Sequence, residues 1–324
     1  MASQRDSPGP RRRLSLPNTP ALNAAVAALT PTTHAPWLAY AGMLLRRRRG
    51  LAQGQPLPVI GRTTGSVTLT AAWLRDYREL IGLPDQPAVL PPLVLQLAAA
   101  PLHLEILGDR RFPFRAMGLV HVGQRVDQVC GVLPGSVLQL DACTGRVWPA
   151  RSGMHLELVT EARHEGRLVW RSITTVLARQ RHPQAFATAM PAVLDAPPSV
   201  PRDGVDWLRV ELVHAPEDLG RRYASVAGDW NPIHQRAWLA RRFGFERAIV
   251  HGTWTLARAM VAAGWPGLHA FSLSAQFRKP VMLPSSVAIW VHKGPSVQWL
   301  RVTDTEGAIE HLVARLEPAL ARDA

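Results

Sequence analysis

The same order of elements occurs twice in this chain of 324 residues, and that repetition limits its architecture more than any other feature. In each half an apolar helical segment precedes a set of strand-length segments. In the first half the apolar run 88–107 precedes strand candidates at 118–122, 136–141, 154–161 and 168–179. In the second half a helix running from Gly252 to Gly264, with Pro266 just beyond, precedes candidates at 271–277, 286–292, 297–302 and 311–316. Along 271–277, Phe271, Leu273, Ala275 and Phe277 alternate with Ser272, Ser274 and Gln276, the period of a half-buried strand. His164-Glu165-Gly166 reads as a hairpin turn. Leu133-Pro134-Gly135-Ser136-Val137 corresponds to Leu283-Pro284-Ser285-Ser286-Val287, and each pentapeptide precedes a strand. A helix followed by antiparallel strands, twice over, predicts an α+β fold in which each half wraps a sheet around one central helix.

The run 88–107 has nearly the length of a membrane span, which needs about 20 mostly apolar residues. Pro91, Pro92 and Pro101 interrupt it, and Gln96, His103 and Glu105 lie inside it. A buried central helix is expected, and no membrane span. A further helix is expected over 68–81, capped by Thr70 and stopped by Gly82. Residues 1–35, rich in Pro, Ser, Thr and Arg, are expected to be disordered. A short helix over 37–45 would follow, ending in the arginines 46–49, where cations complement the helix dipole. Prolines 183, 191, 197, 198 and 201 mark a linker over 181–206. The chain therefore divides into a first domain, 36–180, and a second, 207–324.

The formal net charge is +13. Such a balance suits nucleic acid, a membrane surface or an anionic small molecule. No nucleic-acid fold signature and no basic stripe with interleaved aromatics accompanies it, so nucleic acid is not expected as a partner. The two cysteines, Cys130 and Cys143, fit neither a zinc pattern nor a disulfide framework. The first residues lack the basic-then-apolar order of a secretory signal, and a reducing, cytoplasmic location is expected.

Chemistry concentrates in 223–252. Asp229 and His234 lie five positions apart. On one helix that spacing separates them by about 140°, and on a strand it puts them on opposite faces. They converge only if the backbone bends between them, and Asn231-Pro232 is a strong helix start, Asn as cap and Pro at the first helical position. Asp229 then sits in the loop before the helix and His234 in its first turn. The positive end of the helix dipole disfavours imidazolium, so His234 is expected to be neutral near pH 7 and able to accept a proton or hold a water. Asp229 can act as a base on the same water. His251-Gly252 opens the second helix, whose free N–H groups can stabilise an oxyanion. The bland alternative is an Asp satisfying helix N–H groups beside a core histidine.

The pattern Tyr223-Ala-x-x-x-Gly228-Asp229-x-Asn231-Pro232-Ile233-His234, then Gly244-Phe245 and Ile249-x-His251-Gly252, resembles the hydratase 2 motif of the MaoC-like (R)-specific enoyl-CoA hydratases and acyl dehydratases. Phe277-x-x-Pro280-Val281 extends the likeness. The resemblance implies a double hotdog fold, with a catalytic second domain and a degenerate first one. It implies reversible hydration of trans-2-enoyl thioesters to (R)-3-hydroxyacyl thioesters in fatty acid metabolism. Asp229 and His234 match the catalytic pair, and the Gly252 N–H matches the oxyanion donor. Asn231 is read as a cap and loop-shaper beside bound substrate, and His251 as a substrate-side residue. Arg278 and Lys279 are candidates for a phosphate of coenzyme A or of a carrier protein's phosphopantetheine, and the 93–107 helix for the lining of a tail pocket. A homodimer is the expected assembly. No metal and no cofactor is required, and no Rossmann or P-loop fingerprint occurs. The sequence departs from the motif at Ala227, Arg236, Ala248 and Thr253, none of them a catalytic group. A thioesterase on the same fold and a non-catalytic acyl-thioester binder are the alternatives.

Overall fold

The structure, a computed structural model, describes residues 27–29, 43, 48–51, 55–83, 88–91, 93–179, 206–265, 270–295 and 297–318. The expected tail, the 37–45 helix, the linker and Pro266 lie outside the described residues, apart from Ala27–Leu29, Met43 and Asp206.

Eleven strands form one sheet. A three-residue strand, β1 (Ala27–Leu29), runs parallel to β2 (Gly61–Leu69). The rest of the first half is β3 (Val120–Gln128), β4 (Val137–Ala150), β5 (Gly153–His164) and β6 (Arg167–Arg179). The second half supplies β7 (Leu208–Ala215), β8 (Phe271–Phe277), β9 (Ser285–Lys293), β10 (Gln298–Asp304) and β11 (Glu310–Pro318). The order across the sheet is β1-β2-β4-β5-β6-β3-β8-β11-β10-β9-β7. Read outward from the middle, β3-β6-β5-β4-β2 mirrors β8-β11-β10-β9-β7, so the duplication expected from the sequence holds strand for strand. The expected pair of sheets is instead a single one. β3 and β8 pair antiparallel, with Gly123 opposite Gln276 and Gln128 opposite Phe271. These two strands expose complementary edges, and pairing them satisfies backbone groups that two separate sheets would leave open.

Each half carries an accessory helix between its first two strands. α1 (Ala71–Ile81) is capped by Thr70, whose Oγ1 accepts from the Trp73 N–H, and ends at Gly82 in the left-handed region (φ 67°). The expected helix start at 68 is corrected by three residues, to Ala71, because Thr68 and Leu69 finish β2 and Thr70 is the cap. α4 (Leu219–Ala227), which has no counterpart in the sequence reading, ends likewise at Gly228 (φ 72°). The expected central helix of the first half is two pieces, α2 (Val94–Ala98) and α3 (Ala100–Gly108). Pro101 has no N–H to donate back to Leu97, and the ladder breaks there. The matching helix of the second half is α6 (Gly252–Ala262). α3 packs on β2 and β4, and α6 on β10 and β11. Indoles tie the helical layer across the halves: Trp73 Nε1 donates to the Val226 carbonyl (2.9 Å), and Trp254 Nε1 to the Leu80 carbonyl (2.8 Å). Among the described residues no helix is long and apolar enough to cross a membrane.

Candidate active site

Gly228 at the end of α4 turns the chain into a loop that carries Asp229. The Asp229 Oδ1 accepts the Asn231 N–H at 3.1 Å, and the Asn231 side chain accepts the Ile233 N–H at 3.4 Å. Two successive polar side chains thus bend the backbone into a 3-10 turn, Pro232–His234. Asn231 caps and shapes, as expected, and it also lines the cavity. The sequence predicts one helix from here to Gly244. The chain instead breaks at Arg236, which is extended, before α5 (Ala237–Arg241). The cause is local. The Ile233 carbonyl, which a continuing α-helix would use, accepts the Ile249 N–H at 3.0 Å instead.

His234 is buried, 8% exposed. Its Nδ1–H donates to the Ile249 carbonyl at 2.8 Å, which leaves Nε2 as the lone-pair nitrogen. Nε2 faces Asp229 Oδ2 at 4.0 Å, too far for a direct hydrogen bond. Burial pushes the His234 pKa down, with a smaller opposing pull from the Asp229 charge. The neutral imidazole expected from the sequence is therefore present, but burial rather than a helix dipole is its main cause.

His251 lies beneath this pair. Its ring stacks on His234 with centroids 3.7 Å apart and contacts Tyr223 at 5.0 Å. Its Nε2–H donates to the Asp229 backbone carbonyl at 3.0 Å, and Nε2 stands 3.8 Å from Asp229 Oδ2. Burial holds its pKa down to about 3, so it is neutral and pins the Asp229 loop without charge. His251 precedes α6, and Gly252 occupies the first helical position. There the backbone N–H has no intrahelical partner. A Cβ at Gly252 would lie 3.0 Å from Phe277 Cε1, so glycine keeps this N–H close to the opposite wall.

Asp229, His234 and His251 offer three ligand atoms within 4.8 Å of one another. The donor set suits water better than a metal ion. The His251 Nε2 carries a proton for the Asp229 carbonyl, and a ligating nitrogen must be bare.

All three residues and Gly252 line one cavity of about 980 Å³ that runs into the first half of the chain. Leu97, Ala100, Leu104 and Leu107 of α2 and α3 form part of its wall, which places the 93–107 segment where a tail pocket was expected. Arg278 and Lys279 lie at its exposed rim. The Arg278 guanidinium is engaged with Glu310 at 2.5 Å and Gln276 at 3.2 Å, so it is less available to a phosphate than the sequence implied. Exposed Arg49, Arg115 and Arg179 join the lining, and the sequence reading missed all three as site residues.

Comparison with known proteins bears on the family and the fold. Residues 193–313 match the family described as MaoC like domain. The chain is 30% identical over 205 residues to 3-hydroxyacyl-thioester dehydratase X of Mycobacterium tuberculosis, a span covering 63% of this chain and 70% of that protein. It is 37% identical over 84 residues to the mitochondrial 3-hydroxyacyl-[acyl-carrier-protein] dehydratase of Arabidopsis thaliana, covering 25% of this chain and 50% of that one. Among solved structures, HtdX of M. tuberculosis superposes with a TM-score of 0.68 at 24% identity, over 80% of this chain and 100% of the other. The full-length peroxisomal multifunctional enzyme type 2 of Drosophila melanogaster gives 0.63 at 19% identity, over 81% of this chain and 48% of the other.

Proposed function

Since the chain belongs to the MaoC-like dehydratases, a family of hotdog-fold hydro-lyases, we propose that it interconverts trans-2-enoyl and (R)-3-hydroxyacyl thioesters through Asp229, His234 and Gly252. The observation that carries this reading is the gap of 4.0 Å between His234 Nε2 and Asp229 Oδ2. Neither group can satisfy the other, and both can reach one water oxygen. In hydration that water adds to the β-carbon and gives a proton to the pair. The π electrons move onto the thioester oxygen, where the Gly252 N–H holds the enolate. The pair returns a proton to the α-carbon, and dehydration retraces the path. The bare Nε2 of neutral His234 suits it to accept a proton at pH 7.

The basic rim, Arg49, Arg115, Arg179 and Lys279, favours a thioester whose carrier bears phosphates, coenzyme A or phosphopantetheine. Turnover of an enoyl-CoA chain-length series, with chiral analysis of the product, is the test. Asp229→Asn and His234→Ala are each expected to lower kcat by ~10²–10⁴-fold, the usual worth of general acid–base catalysis, with circular dichroism unchanged. An (S) product, release of free thiol, or full activity in either variant refutes the reading.

A further inference from the structure

The cavity wall in the first half is not uniformly apolar. Gln96, His103, His121 and Thr174 line it among the leucines. Gln96 and Thr174 belong to a closed ring of buried hydrogen bonds. Gln96 Nε2 donates to Thr174 Oγ1 (3.0 Å), and Thr174 Oγ1 donates to Gln124 Oε1 (3.2 Å). Gln124 Nε2 donates to Ser172 Oγ (2.5 Å), and Ser172 Oγ donates to Gln96 Oε1 (2.7 Å). The four residues are 1–6% exposed. His103 Nε2 lies 2.8 Å from Thr160 Oγ1, and His121 Nε2–H donates to the Gly123 carbonyl at 3.0 Å. Burial drives both pKa values down to about 4; His121 adds to the fall at His103, and the Gly123 carbonyl and the Asp229 charge oppose it at His121.

A plain alkyl tail gains nothing from such a wall. Burying polar groups costs free energy unless they are paired, and leucine or valine at these positions would bind alkyl carbon better. Gln96 Oε1 also accepts from Gln124 Nε2 at 3.5 Å, so both its lone pairs are used, and one of the two N–H groups of the Gln96 amide lies outside the ring. His103 likewise has one ring nitrogen outside its bond to Thr160, whereas His121 is bonded by the Gln124 side chain as well as by the Gly123 carbonyl. Both imidazoles are neutral at pH 7, which suits an uncharged oxygen rather than a carboxylate.

Resting on the dehydratase reading, we propose that this arm of the cavity selects acyl thioesters carrying a hydrogen-bonding oxygen, a hydroxyl or carbonyl remote from the thioester, held by His103 and Gln96. The chain is then specific for oxygenated rather than plain acyl groups.

The test compares (R)-3-hydroxydecanoyl-CoA with analogues bearing a second hydroxyl or a ketone at successive positions toward the tail. At one or more positions kcat/KM is expected to exceed that of the plain chain by about tenfold, the scale of one well-made neutral hydrogen bond. His103→Leu is expected to abolish that preference and His103→Asn to retain most of it. Gln96→Met supplies an independent second variant should His103→Leu fail to fold. Calorimetric binding of saturated, unreactive acyl-CoAs, with and without the distal oxygen, gives a readout separate from catalysis. A binding preference without turnover of any thioester refutes the dehydratase reading and supports the polar arm. Turnover with the plain chain preferred at every position, unchanged by the foldable variant, refutes the polar arm and leaves the dehydratase reading standing.

Discussion

A methyl group is the smallest change that probes the proposed oxyanion donor. At Gly252 it would stand 3.0–3.3 Å from three ring carbons of Phe277, so Gly252→Ala must displace either the ring or the helix start. The N–H survives this substitution, and only its position changes. We expect kcat to fall by up to ~10²-fold, the lower range for loss of one oxyanion donor, and Phe277→Leu in the same chain to restore much of it. Failure of that rescue in a folded double variant counts against a steric cause. His251 acts differently. It holds the Asp229 carbonyl, so His251→Ala should lower kcat about tenfold, the worth of one buried hydrogen bond, with little change in KM. His251→Gln, which can still donate, should recover part of the loss. Asp229, His234 and Gly252 were legible in the sequence because their chemistry lies within one short stretch. His103, His121 and Gln96 were not, because α2, α3 and β3 bring them together only in the fold.

At the scale of elements, α4 does more than separate two strands. Gly220 packs against the 3-10 turn so closely that a Cβ there would collide with the His234 carbonyl oxygen. The helix therefore fixes the height of the His234 imidazole. Gly220→Ala should cost about 1–3 kcal/mol by overpacking and reduce kcat. Urea midpoints and steady-state kinetics on one preparation check both effects, and unchanged values of each would contradict the packing argument. α4 was legible but passed over: Leu219, Tyr223, Ala224 and Ala227 stand at helical spacing, with Arg221, Arg222 and Ser225 off that stripe. The later strands were readable from their alternation. β2 and β7 were not, since β2 opens on Gly61-Arg62-Thr63-Thr64-Gly65 and β7 is an edge strand with Leu208, Val210 and Leu212 exposed.

The whole molecule buries neutral histidines on both sides of its central seam. His103 and His121 have pKa values near 4, His251 near 3, and His234 lies below its ordinary 6.5. The unfolded chain takes up protons near pH 6.5 that the native chain refuses until about pH 4. Stability is thus complete above pH 6.5 and falls as the pH drops toward 4, by at most ~1.4 kcal/mol per pH unit for each histidine. This window lies above the ordinary carboxylate value of 3.8, so histidines dominate it. Urea midpoints measured between about pH 7 and pH 5 should decline steadily, and a flat profile would contradict the buried neutral assignment.

The β3–β8 seam has one more consequence. Two identical subunits joined across such an edge would share every substitution, so a polar wall opposite one catalytic loop would also appear beside the other. Here the equivalent positions are encoded separately. The segment between α1 and α2 is half as long as that between α4 and α6, 12 residues (82–93) against 24 (228–251). One half could give up its loop for a chamber while the other kept its chemistry, so the selectivity of the enzyme can drift without its reaction changing.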